Sequence, residues 1–164
     1  MATVLRGSDN LDSAKVLSEE LAGSIVADSA GRVTMPYQPS FNVYGGTAAV
    51  ASDVSFASVR HNTGNHWNTS TNTFTAPVAG TYHFSFAFLH NTSSALYCRV
   101  LFKINGTADT RYGDTLQSNP SGTFNASSAS VTIYLNANDT VKLYNEQSAL
   151  YEAPYGAFSG FLIG

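Results

Sequence analysis

Apolar and polar positions alternate along most of the chain from Phe41 onward. The alternating apolar positions are Phe41 and Val43, Val54 and Phe56, Tyr82 to Phe88, Val131, Ile133 and Leu135, and Val141 and Leu143. Clusters of Gly, Asn, Asp and Pro separate these runs, as in "NTGN", "NGTADT", "SNPSGT" and "NANDT". A period of two with frequent turn signals and no helical stretch predicts many short strands. We therefore expect an all-β sandwich or jelly roll in this part of the chain.

Residues 1–35 follow a different pattern. The segment "LDSAKVLSEELAG" predicts a short helix, because Asp12 or Ser13 can cap its start and Gly23 suits its end. Its apolar positions form one narrow stripe, which consists of Ala14, Leu17 and Leu21. A helix of about twelve residues is marginal alone in water. We therefore expect this stripe to dock on a partner surface.

A hairpin and a connector are predicted between this helix and the alternating region. In "SIVADSAGRVTM" two short apolar runs flank Asp28–Gly31, which is typical of a small hairpin. "PYQPS" then predicts a stiff, extended connector, because proline lacks an N–H donor and biases its predecessor away from helix. The chain is thus predicted to have two parts, an attachment segment at residues 1–35 and a jelly-roll domain at residues 36–164.

Two predicted strands, "ALYCRVLFKI" and "AFSGFLIG", carry apolar side chains on both faces. In the second, Phe158 and Leu162 share one face, and Phe161 and Ile163 share the other. A sandwich whose outer side faces water should not show this pattern. Either other parts of the chain or a second copy of the protein would cover these strands. Scattered apolar residues on the surface are the alternative explanation.

Composition and charge narrow the range of functions. The chain is 43% hydrophobic and 12% charged, with a net charge of −3. It has no run of Lys and Arg for binding nucleic acid. No apolar stretch reaches the about 20 residues that span a bilayer. The start, "MATVLRGSDN", lacks the apolar region of a signal peptide.

Cys98 is the only cysteine and is expected to be a buried small hydrophobe. A reactive thiol would need a nearby cation, and the adjacent Arg99 points to the other face of the strand.

Catalytic and metal-binding signatures are weak. The four histidines are His61, His66, His83 and His90. No Cys or carboxylate accompanies them at zinc-ligand spacing. The chain contains no Gly-x-Ser-x-Gly elbow, glycine-rich phosphate loop or His-Glu-x-x-His motif. The spacing of paired carboxylates is not visible in a sequence, but nothing favours such a pair. We therefore expect no enzymatic activity and no cofactor.

A set of aromatic, Asn and Gly positions resembles a known signature. These positions are Phe56, Asn62, Trp67, Phe74, Gly80, Tyr82, Phe84 and Phe86, and the chain closes on "YGAFSGFLIG". The pattern resembles the globular head of complement 1q, within the complement-1q/tumour-necrosis-factor superfamily, over about residues 39–164. The resemblance implies a ten-stranded jelly roll that forms a tight homotrimer. It implies ligand recognition on exposed loops and no enzymatic activity.

The resemblance also implies roles for particular residues. Tyr82, Phe84 and Phe86 would fill the protomer core. The expected trimer interface consists of His83, Ser85, Ala87, Leu89, Phe158 and Leu162. Some family members bind calcium through Asp residues that bracket the strand equivalent to 97–104. Leu96 and Asn105 occupy those positions here, so this chain departs from that pattern, and a different calcium site through Asp109 or Asp114 stays open.

Two polar segments, "HNTGNHWNTSTN" and "TADTRYGDTLQSNPSGT", are candidate ligand loops. Loops on a rigid scaffold usually carry binding. Trp67, Arg111 and Tyr112 are their candidate exposed anchors. Trp67 has an alternative role in packing, because the signature places an aromatic residue there.

The connector "GRVTMPYQPSF" resembles sequences of bacteriophage tail-fibre and virion surface proteins. A virion protein needs no secretion signal. We therefore expect a non-enzymatic homotrimer on the virion surface, as a capsid decoration, head fibre or tail-fibre knob. Residues 1–35 would bind a capsid or tail protein through Ala14, Leu17 and Leu21, and the loops would contact a host-surface glycan or protein. The alternative is a soluble bacterial or invertebrate module that recognises glycans or proteins.

Overall fold

The computed structural model describes residues 26–27, 33–35, 37–91, 98–112, 124–147, 149–151 and 154–164. The chain divides into two compact units, residues 1–38 and residues 39–164. In the first unit, β1 (Val26–Ala27) and β2 (Val33–Thr34) pair antiparallel. This pairing confirms the predicted hairpin. The predicted helix at 11–23, with Ala14, Leu17 and Leu21, lies outside the described residues.

The connector forms a turn. The amide N–H of Gln38 donates a hydrogen bond to the carbonyl of Met35, with an N···O distance of 3.0 Å. A hydrogen bond between the first and fourth residues of a segment is typical of a β-turn. The prediction of an extended connector is therefore wrong at Tyr37 and Gln38.

The second unit consists of strands in two antiparallel sheets. The strands are β3 (Ser40–Thr47), β4 (Ser52–Asp53), β5 (Ser55–Thr63), β6 (Trp67–Asn68), β7 (Thr73–Thr75), β8 (Gly80–Asn91), β9 (Arg99–Ile104), β10 (Thr107–Ala108), β11 (Phe124–Leu135), β12 (Thr140–Gln147) and β13 (Ala157–Leu162). A five-stranded sheet has the order β11-β8-β13-β3-β5. A six-stranded sheet has the order β10-β9-β12-β7-β6, and β4 pairs with β12.

The all-β jelly-roll prediction is confirmed. Alternation fixes which face of each strand is buried, most clearly in β8, where every second side chain is buried from Tyr82 to His90. The described part of the second unit contains eleven strands, of which β4, β6 and β10 have only two residues each. Cys98 is fully buried, as expected for a small hydrophobe.

Phe158 of β13 is the centre of the aromatic core between the two sheets. Its ring centroid lies 4.9 Å from that of Phe41 and 5.7 Å from that of Trp67. It also contacts Phe84 at 6.1 Å and Phe102 at 6.2 Å. Aromatic pairs at these separations each contribute about 0.5–1.5 kcal/mol beyond area burial. Phe158 therefore contacts rings of both sheets, since Trp67 and Phe102 belong to the six-stranded sheet.

Gly160 makes this packing possible. A Cβ atom at this position would lie 2.8 Å from Cε1 of Phe41 and still closer to the ring of Phe84. Both rings are fully buried. Glycine is therefore required two residues after Phe158, and it sets the inward face of β13.

The turn between β9 and β10 is tied to the neighbouring turn between β11 and β12. Asn105 and Gly106 have φ angles of 48° and 83°, which is the pattern of a type I′ hairpin turn. The Asn105 side chain donates to Oδ1 of Asp139 at 2.8 Å and accepts from the backbone N–H of Thr140 at 2.8 Å. This end of the sandwich is therefore closed by side-chain hydrogen bonds.

Candidate assembly face and ligand loops

The outward face of the five-stranded sheet is rich in small polar side chains. Its central row crosses all five strands and consists of Ser130, Ser85, Ser159, Asn42 and His61. The hydroxyls of Ser85 and Ser159 lie 3.0 Å apart and share a hydrogen bond. Oδ1 of Asn42 is buried and has no hydrogen-bond partner among the residues that the structure describes. Short side chains leave the backbone of this sheet open to close approach by another surface.

Apolar side chains occupy one end of the same face, where β13 ends. Phe161 is 46% exposed, Ile163 51% and Tyr134 63%. Phe161 lies opposite His83 in the pairing of β13 with β8, and Ile163 donates its N–H to Thr81. These exposed residues form one surface, which we call the apolar end of the assembly face. Single exposed apolar residues are common, but a contiguous group marks an interaction surface.

Four predicted interface residues lie on this face. His83, Ser85, Ala87 and Leu89 alternate with the buried aromatics of β8 and point outward, as predicted. Their outward position agrees with the predicted face of the strand.

The prediction that Phe158 and Leu162 lie in the interface is wrong. Phe158 is fully buried in the protomer core, and Leu162 packs against the same core. The exposed apolar residues are instead Phe161 of β13 and Ile163, which follows β13, and the prediction places both on the opposite side. The sequence "AFSGFLIG" is apolar on both faces, so alternation alone does not choose between them. Gly160 is the residue that indicates the orientation of the strand, because only the inward face of β13 requires a residue without a side chain.

Charged side chains are distributed unevenly between the two sheets of the second unit. The strands of the five-stranded sheet contain no Asp or Glu. Arg60 lies over the ring of Tyr44, 4.8 Å from its centroid. On the six-stranded sheet, by contrast, Asp53 accepts hydrogen bonds from Nζ of Lys103 and of Lys142, each at 2.8 Å. Ion pairs are therefore found on the six-stranded sheet, whereas Arg60 is a cation on strands that contain no carboxylate.

Ionisation of Asp53 is favoured by these two lysines. Burial alone would raise the pKa of its carboxyl group. Hydrogen bonds and positive charge from Lys103 and Lys142 outweigh burial and lower that pKa below its ordinary value. Arg99 and Glu146 form a further ion pair on this sheet at 2.7 Å. Asp53 thereby joins β4 to both β9 and β12.

Trp67 is part of the core rather than an exposed ligand anchor. It is 3% exposed and stacks on Phe41 with centroids 4.8 Å apart. Asn62 fixes its backbone, because the Asn62 side chain donates to the Trp67 carbonyl at 2.9 Å and accepts from the Trp67 N–H at 3.0 Å. The alternative packing role is therefore the correct one. The spacing of Asn62 and Trp67 in the signature reflects this side-chain clamp.

Arg111 is exposed, as predicted, but its guanidinium group is already paired. Its Nε donates to both carboxylate oxygens of Asp109 at 2.9 Å, and Nη2 donates to Oδ2. Hydrogen bonds from Arg111 lower the pKa of Asp109 to about 2. The Arg111 pair thus occupies the carboxylate considered for calcium, and Asp114 lies outside the described residues. Tyr112 packs against the core and is not the exposed anchor that was predicted.

The histidines are dispersed. Among the residues described, no group of three His, Cys, Asp or Glu side chains could hold a metal ion. His90 is fully buried, and its Nε2 lies 2.6 Å from Oγ of Ser127. Burial lowers the pKa of His66, which lies beside Gly64 in the β5–β6 turn.

No helix in the described ranges has the length and apolar character to cross a membrane.

Comparison with known proteins agrees with this architecture. No curated protein matches the sequence. The globular domain of zebrafish complement 1qA matches with a TM-score of 0.61 and 20% identity, covering 77% of this chain and 98% of that one. Murine APRIL matches with a TM-score of 0.58 and 14% identity, covering 76% and 98%. The sequence profile of the C1q domain matches residues 41–163. The chain therefore belongs to the C1q domain family.

Proposed function

We propose that this protein is a non-enzymatic recognition protein of a bacteriophage virion, assembled as a homotrimer through the outward face of its five-stranded sheet. The C1q domain supports the recognition role. The resemblance of the connector "GRVTMPYQPSF" to phage fibre proteins supports the virion location. Residues 1–35 bind a capsid or tail protein, and the C1q domain projects from it.

The assembly face is the observation that carries this proposal. It combines small side chains, which permit close approach, with an exposed apolar end at Phe161, Ile163 and Tyr134. Burying a large apolar side chain contributes about 1.5–3 kcal/mol. A symmetric assembly repeats each such contact in every copy. The six-stranded sheet is a poorer candidate, because its exposed charges would have to lose water on contact.

In the proposed attachment through residues 1–35, the loops at the end of the domain opposite Ser40 point away from the particle. The chain enters the sandwich where β3 begins, at Ser40, and β3 ends at the opposite end of the domain. The described loop residues at that opposite end include 48–51 and 154–156, because Ala157 pairs with Tyr44 near the end of β3. Val50 and Tyr155 are exposed there. Arg111 is also exposed, in the loop that follows β10. These loops are the proposed contact with a host-surface glycan or protein.

Light scattering on residues 36–164 tests the assembly, and we expect a compact trimer at micromolar concentration. A folded monomer at that concentration would refute the proposed assembly.

Mass spectrometry of purified particles tests whether the protein is located on the virion. Deleting residues 1–35 should leave the melting temperature of the trimer nearly unchanged and abolish incorporation into particles. Truncated protein that still copurifies at normal stoichiometry would show that the attachment role is wrong.

A further inference from the structure

Asn105 and Gly106 form the one Asn-Gly pair of the sequence. An asparagine in such a pair can lose its side-chain amide without an enzyme, because the backbone nitrogen of the next residue can attack the side-chain carbonyl carbon. Glycine permits this attack more readily than other residues, since it has no Cβ atom to obstruct it. Both residues are exposed, so water can reach them. The pair therefore has the chemistry of a modification site.

The Asn105 side chain is held by hydrogen bonds at both ends of its amide. Its Nδ2 donates to Oδ1 of Asp139 at 2.8 Å. Its Oδ1 accepts from the backbone N–H of Thr140 at 2.8 Å and from the Thr140 hydroxyl at 3.4 Å. The backbone N–H of Asn105 also donates to the Thr140 carbonyl at 3.0 Å. We call this set of hydrogen bonds between Asn105, Asp139 and Thr140 the Asn105 clamp.

Asp139 enters the clamp as an ionised acceptor. The hydrogen bond from the Asn105 side chain is the main cause that lowers the pKa of the Asp139 carboxyl group. The other carboxylate oxygen, Oδ2, accepts from the backbone N–H of Asn136 at 2.7 Å. Hydrogen bonds to an ionised acceptor are stronger than those between neutral groups. The carboxylate therefore holds the Asn105 amide in place and has no proton to give it as a leaving group.

The turn conformation adds a second restraint. Asn105 and Gly106 adopt φ angles of 48° and 83°, and the pairing of Ile104 with Thr107 closes this two-residue turn. The Gly106 nitrogen can approach Cγ of Asn105 only after rotation about bonds of Asn105, and that rotation breaks the clamp. Reaction in the folded protein therefore requires local opening of the turn.

We propose that Asn105 is a deamidation site that the Asn105 clamp protects. When the turn opens, the Gly106 nitrogen loses its proton and forms a bond to Cγ of Asn105. The bond between Cγ and Nδ2 then breaks, and the amide nitrogen leaves as ammonia. Water opens the resulting cyclic imide at one of its two carbonyl groups and leaves either aspartate or isoaspartate. The reaction requires no oxidant, metal or enzyme.

Either product destroys the clamp. The Nδ2 donor of Asn105 is replaced by a carboxylate oxygen that faces the carboxylate of Asp139, and two like charges at this distance repel each other. In isoaspartate an additional methylene group also enters the main chain, and a two-residue type I′ turn does not accommodate it. The β9–β10 turn thereby loses its connection to the β11–β12 turn. Deamidation is a one-way reaction, so the clamp determines how long this end of the sandwich stays closed.

Peptide-mapping mass spectrometry of the full chain tests the proposal, after long incubation at mildly alkaline pH with and without urea. Asn105 should be the fastest-reacting asparagine in urea and should react far more slowly in the folded protein. Asp139→Ala should accelerate the reaction in the folded protein roughly tenfold, because a hydrogen bond to a charged acceptor is lost. Asp139→Asn keeps one side-chain acceptor and should give a smaller acceleration.

Asp53→Ala is the matched control, because it also removes a carboxylate that accepts two hydrogen bonds on the six-stranded sheet. This variant should deamidate at Asn105 as slowly as the unmodified chain. Circular dichroism shows whether each variant keeps its β-sheet spectrum. Mass spectrometry reads the Asn105 amide directly, so the result depends neither on assembly nor on location in a virion.

Four outcomes would overturn the proposal. Equal reaction of Asn105 in the folded chain and in urea would show that the fold gives no protection. An unchanged rate in folded Asp139→Ala would show that the clamp is not the cause. The same acceleration in Asp53→Ala would assign the effect to a general loss of stability. If Asp139→Ala loses its β-sheet spectrum, Asp139→Asn takes its place, and an unchanged rate in that variant overturns the proposal.

Discussion

His83 and Phe161 lie opposite each other on neighbouring strands, with ring centroids 5.4 Å apart on the outward face of the five-stranded sheet. Phe161 is the larger apolar group of the pair and is 46% exposed. In the proposed assembly a neighbouring copy covers both rings. The contact therefore joins the apolar end of the face to the imidazole that bonds Thr132 of β11.

Phe161→Lys should convert the trimer to folded monomers, because its ammonium group would be buried without a counter-ion. Light scattering measures the loss of assembly, and circular dichroism shows whether the protomer fold survives. The matched control is Val78→Lys in the loop between β7 and β8, where an apolar side chain is 48% exposed. This control should stay trimeric. Equal assembly of the two variants would show that Phe161 lies outside the interface.

Phe158→Ala should destabilise the protomer by about 3–5 kcal/mol, because it leaves a cavity at the centre of the aromatic core. Urea unfolding measures this change in the free energy of unfolding. Phe161→Ala, measured under conditions where the protein is monomeric, should change it by less than about 0.5 kcal/mol. Similar losses for both variants would contradict the inward position of Phe158.

Asp53→Asn should remove an acid-dependent part of the stability. The lysines lower the pKa of Asp53 below its ordinary value, so the folded state binds fewer protons there than the unfolded state. This stabilisation is complete above the unfolded pKa of 3.8 and is lost as pH falls through the folded pKa. Because the carboxylate is partly exposed, we expect a loss of only about 0.2–1 kcal/mol at neutral pH.

Urea unfolding of the unmodified chain and of Asp53→Asn at neutral and at strongly acidic pH checks this prediction. The difference between them should shrink as Asp53 becomes protonated. Glu146→Gln, which breaks the Arg99 ion pair on the same sheet, is the control for a general effect of charge. A difference between the unmodified chain and Asp53→Asn that is the same at both pH values would contradict the role of the two lysines.

Arg111→Ala should raise the pKa of Asp109 from about 2 toward the ordinary value of 3.8. The side-chain hydrogen bonds from Arg111 are the main cause of the lowered value, and this variant removes them. Carbon-detected NMR titration of the Asp109 carboxyl group measures the change. Asp139, whose pKa is lowered by hydrogen bonds from Asn105 and Asn136, should titrate unchanged in the same spectra. An unchanged Asp109 would show that the pair is absent in solution.

The sequence predicted the fold more fully than the faces of its last strand. In β8 the aromatics and the small residues strictly alternate, so periodicity identified both faces. In β13 both faces are apolar, so only the packing of Gly160 against Phe41 and Phe84 determines the orientation. The pairing of Arg111 with Asp109 depends on the geometry of their loop, and the sequence does not specify that geometry. Whether Trp67 and Tyr112 are exposed likewise depends on tertiary contacts that the sequence does not show.

Trp67 gives the protein an internal optical probe. It is the only tryptophan of the chain and lies on β6 of the six-stranded sheet. Its ring neighbours, Phe41, Phe56 and Phe158, belong to the five-stranded sheet. Its fluorescence therefore reports the docking of one sheet on the other rather than the formation of either sheet alone. Emission shifted to short wavelength indicates a closed sandwich, and a shift to longer wavelength during refolding or dilution marks the moment at which water enters between the sheets.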